Sequence, residues 1–281
     1  MIGITSFITQ ALAEDIGNGD HTTLATIPSD AQGKAVLWIK QDCILAGIDI
    51  ARQVFLHLQH DVSVHLLMLD GHSAKAGDKA MEVEGNIHTL LSGERLALNI
   101  LQRMSGIATH TKRLSQLIQH THTRLLDTRK TTPLFRTLEK EAVRIGGGYN
   151  HRMGLYDMVL IKDNHVDFSG GISSAINRVH DYFKQKNLQL PIEVEVRNLD
   201  ELQQVIDNGK VNRILFDNFS PKMLKEGIRV VDKRYETEAS GGINEQNIVT
   251  YAETGVDFIS VGALTHHINS IDMSLKAHVS S

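Results

Sequence analysis

The feature that most constrains the fold is a repeated alternation of short β-rich runs with helical segments, which begins near residue 123. Most of the runs carry apolar residues on both faces, which is typical of buried parallel strands. Alternation of this kind predicts a parallel sheet, either open or closed into a barrel. The six runs are RLLD (124–127), MVLIKD (158–163), IEVEV (192–196), RILFD (213–217), ETEAS (236–240) and DFISVG (257–262).

The segments between the runs carry the end signals of helices. NLDELQQVIDNG (198–209) has one apolar stripe and ends in Gly209, the residue type that favours a left-handed C-terminal cap. SPKMLKEGIRVV (220–231) begins with a serine N-cap and a proline in the first turn. NEQNIVTYAETG (244–255) is predicted to begin at Asn244 and to end at Gly255.

Chemically useful residues lie at or just past the carboxyl end of nearly every run, which favours a barrel over an open sheet. In both kinds of parallel α/β architecture this edge is where ligands bind. Six strand–helix units are fewer than the usual eight of a complete barrel. The residues concerned are Asp127, Thr128, Arg129, Lys130, Lys162, Asp163, Glu195, Asp217, Ser240, Gly241, Gly242 and Gly262.

The first hundred residues have a different pattern. Residues 33–41 and 62–71 are strand-like, residues 47–58 are helix-like, and a long helical segment covers residues 93–118. These patterns indicate a separate α+β layer ahead of the barrel. We therefore predict an N-terminal α/β sandwich domain over residues 1–108 and a catalytic α/β barrel over residues 109–267, with the C-terminal tail 268–281 packed against the sandwich domain.

Composition excludes several classes of function. The formal net charge is −4, so no overall positive field exists to bind nucleic acid or an anionic membrane. No apolar run reaches the roughly 18 residues that a membrane span needs, and the N-terminal residues lack the basic start of a secretory signal. Cys43 is the only cysteine, which rules out an intrachain disulfide and favours a reducing compartment. We predict a cytoplasmic protein in which Cys43 is an inert core thiol.

Four cations follow strand ends or lie in loops beside glycines, namely Arg129, Lys130, Arg152 and Lys162. A guanidinium group is always protonated and pairs bidentately with carboxylate or phosphate. Clustered arginines therefore predict a substrate that carries more than one acid group.

Three further cations lie on the predicted helix that follows the DTRK segment. Arg136, Lys140 and Arg144 are spaced along LFRTLEKEAVR, where Glu141 is a helical neighbour of opposite charge. The pattern favours a solvated helix face for these three residues.

Two glycine-containing loops follow late strands, in EASGGIN and in SVGALTH. Backbone N–H groups in such loops bind phosphate, and neighbouring late strand ends of a barrel commonly form a phosphate site. We predict such a site here.

Glu195 and Asp217 end successive strands, where buried carboxylates need a cation, a hydroxyl or a metal as a partner. Mg²⁺ bound through substrate oxygens fits this position, and so do hydrogen bonds to ribose hydroxyls. The alternative is a structural ion pair with Lys162 or Arg152. Glu193 lies two residues before Glu195 on the same strand face, so the pattern does not separate the two.

Long motifs along nearly the whole chain resemble those of the quinolinate phosphoribosyltransferase family. The motifs are ALAEDIGNGDHTT, LSGERLALNILQRMSGIATHT, LLDTRKTTP, EKEAVRIGGGYNHRMGLYDMVLIKDNH, EVEV, LFDN, EASGGI and GVDFISVGALTH. The resemblance implies an N-terminal open-faced sandwich and an incomplete barrel of about six strands. It also implies a homodimer in which each sandwich domain covers the partner's barrel mouth.

The activity implied by the resemblance is transfer of phosphoribose from phosphoribosyl pyrophosphate to quinolinate, with decarboxylation, to give nicotinate mononucleotide in NAD synthesis. The family motifs assign Arg95, Arg129, Lys130, His151, Arg152 and Lys162 to quinolinate. They assign Glu195 and Asp217 to the ribose and to Mg²⁺. Ser240, Gly241, Gly242, Gly262 and His266 are assigned to phosphate. Lys130, Lys162, Glu195 and Asp217 are the residues to which catalysis is assigned.

Two positions depart from the family pattern, and two other functions stay open. Lys40 stands where many members carry an arginine that reaches the neighbouring subunit's site, and Leu134 stands where glycine is expected. The nearest alternative function is that of a pyrophosphorylase-like paralogue linked to molybdate transport. The more distant one is a non-catalytic module that binds anions or RNA.

Overall fold

The computed structural model describes residues 3–278 and divides into two compact units. The first unit contains the described residues up to Lys112, residues 131–147 and those from Leu264 onward. The second unit contains residues 113–130 and 148–263. Among the described residues, no helix is both long enough and apolar enough to cross a bilayer.

The secondary structure consists of strands and helices numbered here along the chain. The strands are β1 Gln32–Ile39, β2 Cys43–Ile44, β3 Ser63–Leu66, β4 Ser73–Ala74, β5 Lys79–Asn86, β6 Arg124–Leu126, β7 Val159–Ile161, β8 Ile192–Val196, β9 Arg213–Asp217, β10 Glu236–Ser240, β11 Phe258–Ser260 and β12 Met273–Ala277. The helices are α1 Ile4–Ile16, α2 His21–Thr26, α3 Ile48–Leu58, α4 Ile87–Leu117, α5 Arg136–Ile145, α6 Asp163–Ser169, α7 Ile172–Lys186, α8 Leu199–Asn208, α9 Pro221–Val231, α10 Ile248–Ala252 and α11 Ala263–His266.

The first unit is built on an antiparallel sheet with the strand order β12-β1-β5-β3. Leu37 of β1 is opposite Met81 of β5, and both are fully buried in a core that also includes Phe55 of α3. On the other face of the same strands, Lys34 forms an ion pair with Glu82 at 2.6 Å. One apolar face and one charged face are the pattern of an open-faced sandwich, as predicted.

Cys43 lies in this same core and is 5% exposed. Burial raises the pKa of its thiol to about 11, so the reactive thiolate form is scarce at neutral pH. The prediction that Cys43 lies in the core is confirmed.

The second unit is an open parallel sheet with the strand order β6-β11-β10-β9-β8-β7. Strands β8, β9 and β10 have the predicted bounds, and the other three lie inside their predicted runs. With β6 and β7 at its edges, the sheet has the six strands of the predicted incomplete barrel. The fold class expected from the sequence is confirmed.

Helix α9 begins at its predicted serine N-cap, and α8 begins after Asn198, which is its N-cap. The side chain of Asn198 accepts a hydrogen bond from the Glu201 N–H, and Ser220 accepts one from the Met223 N–H. The prediction for α10 was wrong at its start: the helix begins at Ile248, with Asn247 as N-cap, instead of at Asn244. The Asn244 side chain instead accepts a hydrogen bond from the Gln246 N–H, which holds the preceding residues in a turn.

Candidate active site

The carboxyl ends of the parallel strands in the second unit collect most of the predicted site residues. Asp217 ends β9 and is paired with Ser240, which ends β10. Glu195 is the penultimate residue of β8, next to β9. Because all six strands are parallel, the loops after β6, β7 and β11 leave the sheet at the same edge.

The predicted site residues fall into two groups by unit. The first unit holds Lys40, Arg95 and His266, all of which are exposed. The second unit holds Arg129, Lys130, His151, Arg152, Lys162, Glu195, Asp217, Ser240, Gly241, Gly242 and Gly262.

Arg152 is the most buried cation of the second group, with 9% of its surface exposed. Its Nη1 donates to the Met158 carbonyl oxygen at 3.1 Å. Burial lowers the pKa of this guanidinium group, and the nearby Arg129 lowers it further, whereas the Glu193 and Asp157 carboxylates act in the opposite direction. Two guanidinium groups that repel each other, one of them buried, form a site that an anion would stabilise.

His151 fixes the backbone at this position. Its N–H donates to Asp127 Oδ1 at 2.9 Å, and its ring Nδ1 accepts from the Arg152 N–H at 2.7 Å. The other ring nitrogen, Nε2, lies 2.9 Å from Glu193 Oε2. Both sides of the imidazole ring are therefore held inside the protein.

Lys162 and two carboxylates form a mixed-charge group at the ends of neighbouring strands. The Lys162 Nζ lies 3.9 Å from Glu195 Oε2, so the ion pair considered as the alternative is present, although Lys162 stays about half exposed. Burial raises the pKa of Glu195, Lys162 lowers it, and the Asp217 charge raises it. Glu195 and Asp217 lie near the carboxyl ends of neighbouring strands, and carboxylate oxygens are ligands that Mg²⁺ accepts.

The glycine loop after β10 has backbone angles that are unfavourable for other residue types. Gly241 has a φ of 97°, and a Cβ atom at this position would lie 2.2 Å from Asn218 Oδ1. Gly242 also has a positive φ, of 63°. Glycine is therefore required here both by the backbone angle and by the close approach of Asn218.

The burial of residues on α5 shows that one of the three cations predicted on its solvated face was assigned wrongly. Arg144 lies on a solvated face and pairs with Glu141 at 3.0 Å, as predicted. Lys140 is fully buried, so its assignment to that face was wrong. Its neighbour Glu139 is also fully buried, where it accepts from Arg103 Nε at 2.7 Å. This turn of the helix therefore faces inward.

Sequence reasoning missed several acidic and basic residues that support the site. Asp157 accepts the N–H groups of Met153 and Gly154 at 2.7 and 2.9 Å and so fixes the loop after Arg152. The glycine and aspartate of MGLYD are the residue types of this segment that indicate a turn. Glu193, Glu238 and Arg213 form a buried group behind His151.

The chain is similar to known proteins over nearly its whole length. The family models of the quinolinate phosphoribosyl transferase N-terminal and C-terminal domains match residues 20–105 and 107–276. A chloroplastic nicotinate-nucleotide pyrophosphorylase (carboxylating) of Arabidopsis thaliana is 42% identical, over 97% of this chain and 82% of the relative. A probable enzyme of the same name from Bacillus subtilis is 39% identical, over 95% and 91%. The solved nicotinate-nucleotide pyrophosphorylase of Francisella tularensis is 40% identical and has a TM-score of 0.90, with 98% and 96% coverage.

Proposed function

The chain belongs to the quinolinate phosphoribosyltransferase family, and we propose that the cations at the carboxyl ends of its parallel strands bind the two carboxylates of quinolinate. The enzyme is a pentosyltransferase. It transfers phosphoribose from phosphoribosyl pyrophosphate to quinolinate with loss of CO2, and so forms nicotinate mononucleotide for de novo NAD biosynthesis.

The observation that carries the proposal is the buried guanidinium group of Arg152 beside Arg129. Quinolinate has two adjacent carboxylates, and a pair of guanidinium groups neutralises them with a defined orientation. The ammonium groups of Lys130 and Lys162 add charge but lack the planar fork that fixes direction. Orientation of this kind directs the ring nitrogen at the sugar carbon that it attacks.

The carboxylates Glu195 and Asp217 face the sugar in this proposal. Departure of pyrophosphate leaves positive charge on the ribose ring, which fixed carboxylates stabilise electrostatically. Once the ring nitrogen carries the sugar it is positively charged, and it stabilises the carbanion left on the neighbouring ring carbon when the carboxylate there leaves as CO2. A proton then takes the place of the carboxylate on that carbon. The reaction then needs no covalent nucleophile.

The phosphate groups of the sugar are assigned to the loops with Ser240, Gly241, Gly242 and Gly262, whose backbone N–H groups suit anions. His266 and Arg95 keep their assignments to phosphate and quinolinate. Glu195 and Asp217 would hold Mg²⁺, since carboxylates near the ends of neighbouring strands are suitable ligands, and Mg²⁺ would neutralise the pyrophosphate charge. The rest of the proposal is a cytoplasmic homodimer with its active site at the subunit interface, to which the partner subunit's Lys40 contributes.

Substrate selectivity tests the proposed function. Purified protein with Mg²⁺ and phosphoribosyl pyrophosphate should convert quinolinate to nicotinate mononucleotide and should use nicotinate, which lacks one carboxylate, far less well. Equal use of the two acids would show that the cations do not bind a dicarboxylate. Inactivity with both would favour the paralogue linked to molybdate transport.

A further inference from the structure

The loop of residues 131–135, which directly follows Lys130, is held by contacts that have no part in the chemistry described so far. Leu134 has a φ of 64°, a backbone angle that a leucine side chain disfavours. Such a conformation persists only where the surrounding structure maintains it. One of the contacts that do so is the hydrogen bond from Arg136 Nε to Thr131 Oγ1, at 2.9 Å.

The guanidinium group of Arg103, on α4, contacts this loop and also the chain after β11. Its Nη2 donates to Thr132 Oγ1 at 2.9 Å and to the Thr265 carbonyl oxygen at 3.0 Å. Thr265 is fully buried and directly precedes His266, so the second bond fixes the backbone from which the His266 side chain extends. One side chain thus holds two segments that are far apart in sequence.

Glu139 orients this guanidinium group from inside the protein. Its carboxylate is fully buried and accepts from Arg103 Nε at 2.7 Å through Oε1. Its Oε2 accepts from the Thr132 N–H at 3.0 Å. A buried carboxylate needs partners of this kind, and a charged hydrogen bond to arginine defines the plane of the fork. Thr132 is therefore held at both its N–H and its hydroxyl group.

The two segments held by Arg103 lead directly to residues that are assigned to substrates. Thr132 follows Lys130, assigned to quinolinate, by two residues, and Thr265 precedes His266, assigned to phosphate, by one. A displacement of about 1 Å at a substrate-binding group is enough to lower a reaction rate by up to about 100-fold. Bonds that fix the backbone beside such groups therefore affect the binding of the substrates.

We propose that Arg103 is a positioning residue for both substrates. Through Thr132 it fixes the backbone that carries Lys130 to quinolinate, and through Thr265 it fixes the backbone that carries His266 to phosphate. The inference rests on the proposed function, because quinolinate and phosphoribosyl pyrophosphate are the ligands assigned to these groups.

Arg103→Lys tests the need for the planar fork. Lysine keeps a positive charge beside the buried Glu139 but has a single ammonium group, which does not reproduce the set of directed bonds to three partners. We expect the KM for quinolinate and the KM for phosphoribosyl pyrophosphate each to rise about fivefold or more, since hydrogen bonds to both segments are lost. Steady-state kinetics with one substrate varied and the other saturating gives the two values.

The matched control is Arg113→Lys, which is the same substitution on the same helix. Arg113 is exposed and forms an ion pair with Glu245. Both KM values should stay within about twofold of wild type, because exposed ion pairs contribute little.

Two substitutions of Thr132 separate positioning from a general loss of stability. Thr132→Val removes the hydroxyl acceptor and leaves the bond from Arg103 to the Thr265 carbonyl. We expect it to raise the KM for quinolinate about threefold and to keep the KM for phosphoribosyl pyrophosphate within about 1.5-fold. Thr132→Ser keeps the hydroxyl group and should restore the wild-type KM for quinolinate. Thermal unfolding of each variant shows whether the fold is retained.

Several results would overturn the inference. Unchanged KM values in a folded Arg103→Lys protein would show that the fork is not needed. If Thr132→Val changed both KM values equally, or neither, its bond to Arg103 would have no specific effect on quinolinate. A Thr132→Ser protein as impaired as Thr132→Val would exclude the hydroxyl group as the cause. Wild-type protein that fails to convert quinolinate would instead refute the proposed function, and this inference with it.

Discussion

Replacement of Arg152 gives the sharpest test of the proposed substrate site. The guanidinium group is 9% exposed and lies close to Arg129, so a substrate carboxylate bound there is largely removed from water. Loss of one partner of a buried hydrogen-bonded charge pair costs about 2–5 kcal/mol. At about 1.4 kcal/mol per factor of ten, Arg152→Ala should lower kcat/KM for quinolinate by about 30-fold to 4,000-fold.

Arg152→Lys is the informative second variant. It keeps the positive charge but loses the planar fork and the bond to the Met158 carbonyl, so we expect an intermediate loss of about tenfold. Neither variant should unfold the protein, because burial and Arg129 already disfavour the charged form of Arg152.

The matched control is Arg144→Ala, which removes a cation of the same sequence cluster that pairs with Glu141 on the surface of α5. We expect kcat/KM to stay within about twofold of the wild-type value, since exposed helical ion pairs contribute only about 0.3–0.5 kcal/mol. Steady-state kinetics with quinolinate as the varied substrate gives the comparison. Unchanged kcat/KM in a folded Arg152→Ala protein would refute the assignment of Arg152 to the substrate site.

Three further predictions follow from backbone angles and burial. Leu134 has a φ of 64° and is 69% exposed, so Leu134→Gly should raise the free energy of unfolding by about 0.5–1 kcal/mol in chemical denaturation; a loss of stability would contradict this. Gly241→Ala should raise the KM for phosphoribosyl pyrophosphate about tenfold, because its Cβ would collide with Asn218; unchanged kinetics would remove this loop from the phosphate site. Cys43 should resist alkylation by iodoacetamide in the native protein at pH 7.5 and react on unfolding, since its pKa is raised to about 11; rapid native labelling would contradict its burial.

Local sequence patterns were sufficient for the barrel strands and insufficient for pairings between distant segments. IEVEV, RILFD and ETEAS match β8, β9 and β10 because polar residues or proline flank runs suited to a buried strand. Strands β5 and β12 were missed. β12 pairs with β1 from the opposite end of the chain, so its stabilising contacts leave no local signal.

The sequence identified those site residues whose role depends on their position at the end of a strand. It did not identify those whose role depends on contacts with residues distant in sequence. Glu193 and Glu195 lie on the same strand face because they are two residues apart. The structure distinguishes them: Glu193 is fully buried and lies 2.9 Å from His151 Nε2. Similarly, nothing local to α5 indicates that Lys140 is buried. The neighbouring Glu139 is paired with Arg103 on α4, and a contact between segments this far apart in sequence leaves no local signal. The positive φ of Leu134 does agree with the family pattern, which has glycine at that position.

The central claim is that fixed cations at the strand ends bind a dicarboxylate that loses CO2 only after it receives phosphoribose. Quinolinate labelled at the carboxyl group next to the ring nitrogen gives the most direct measurement. The account predicts labelled CO2 in a one-to-one ratio with nicotinate mononucleotide, and none without phosphoribosyl pyrophosphate. Release of CO2 in the absence of phosphoribosyl pyrophosphate, or a mononucleotide that keeps the label, would contradict it.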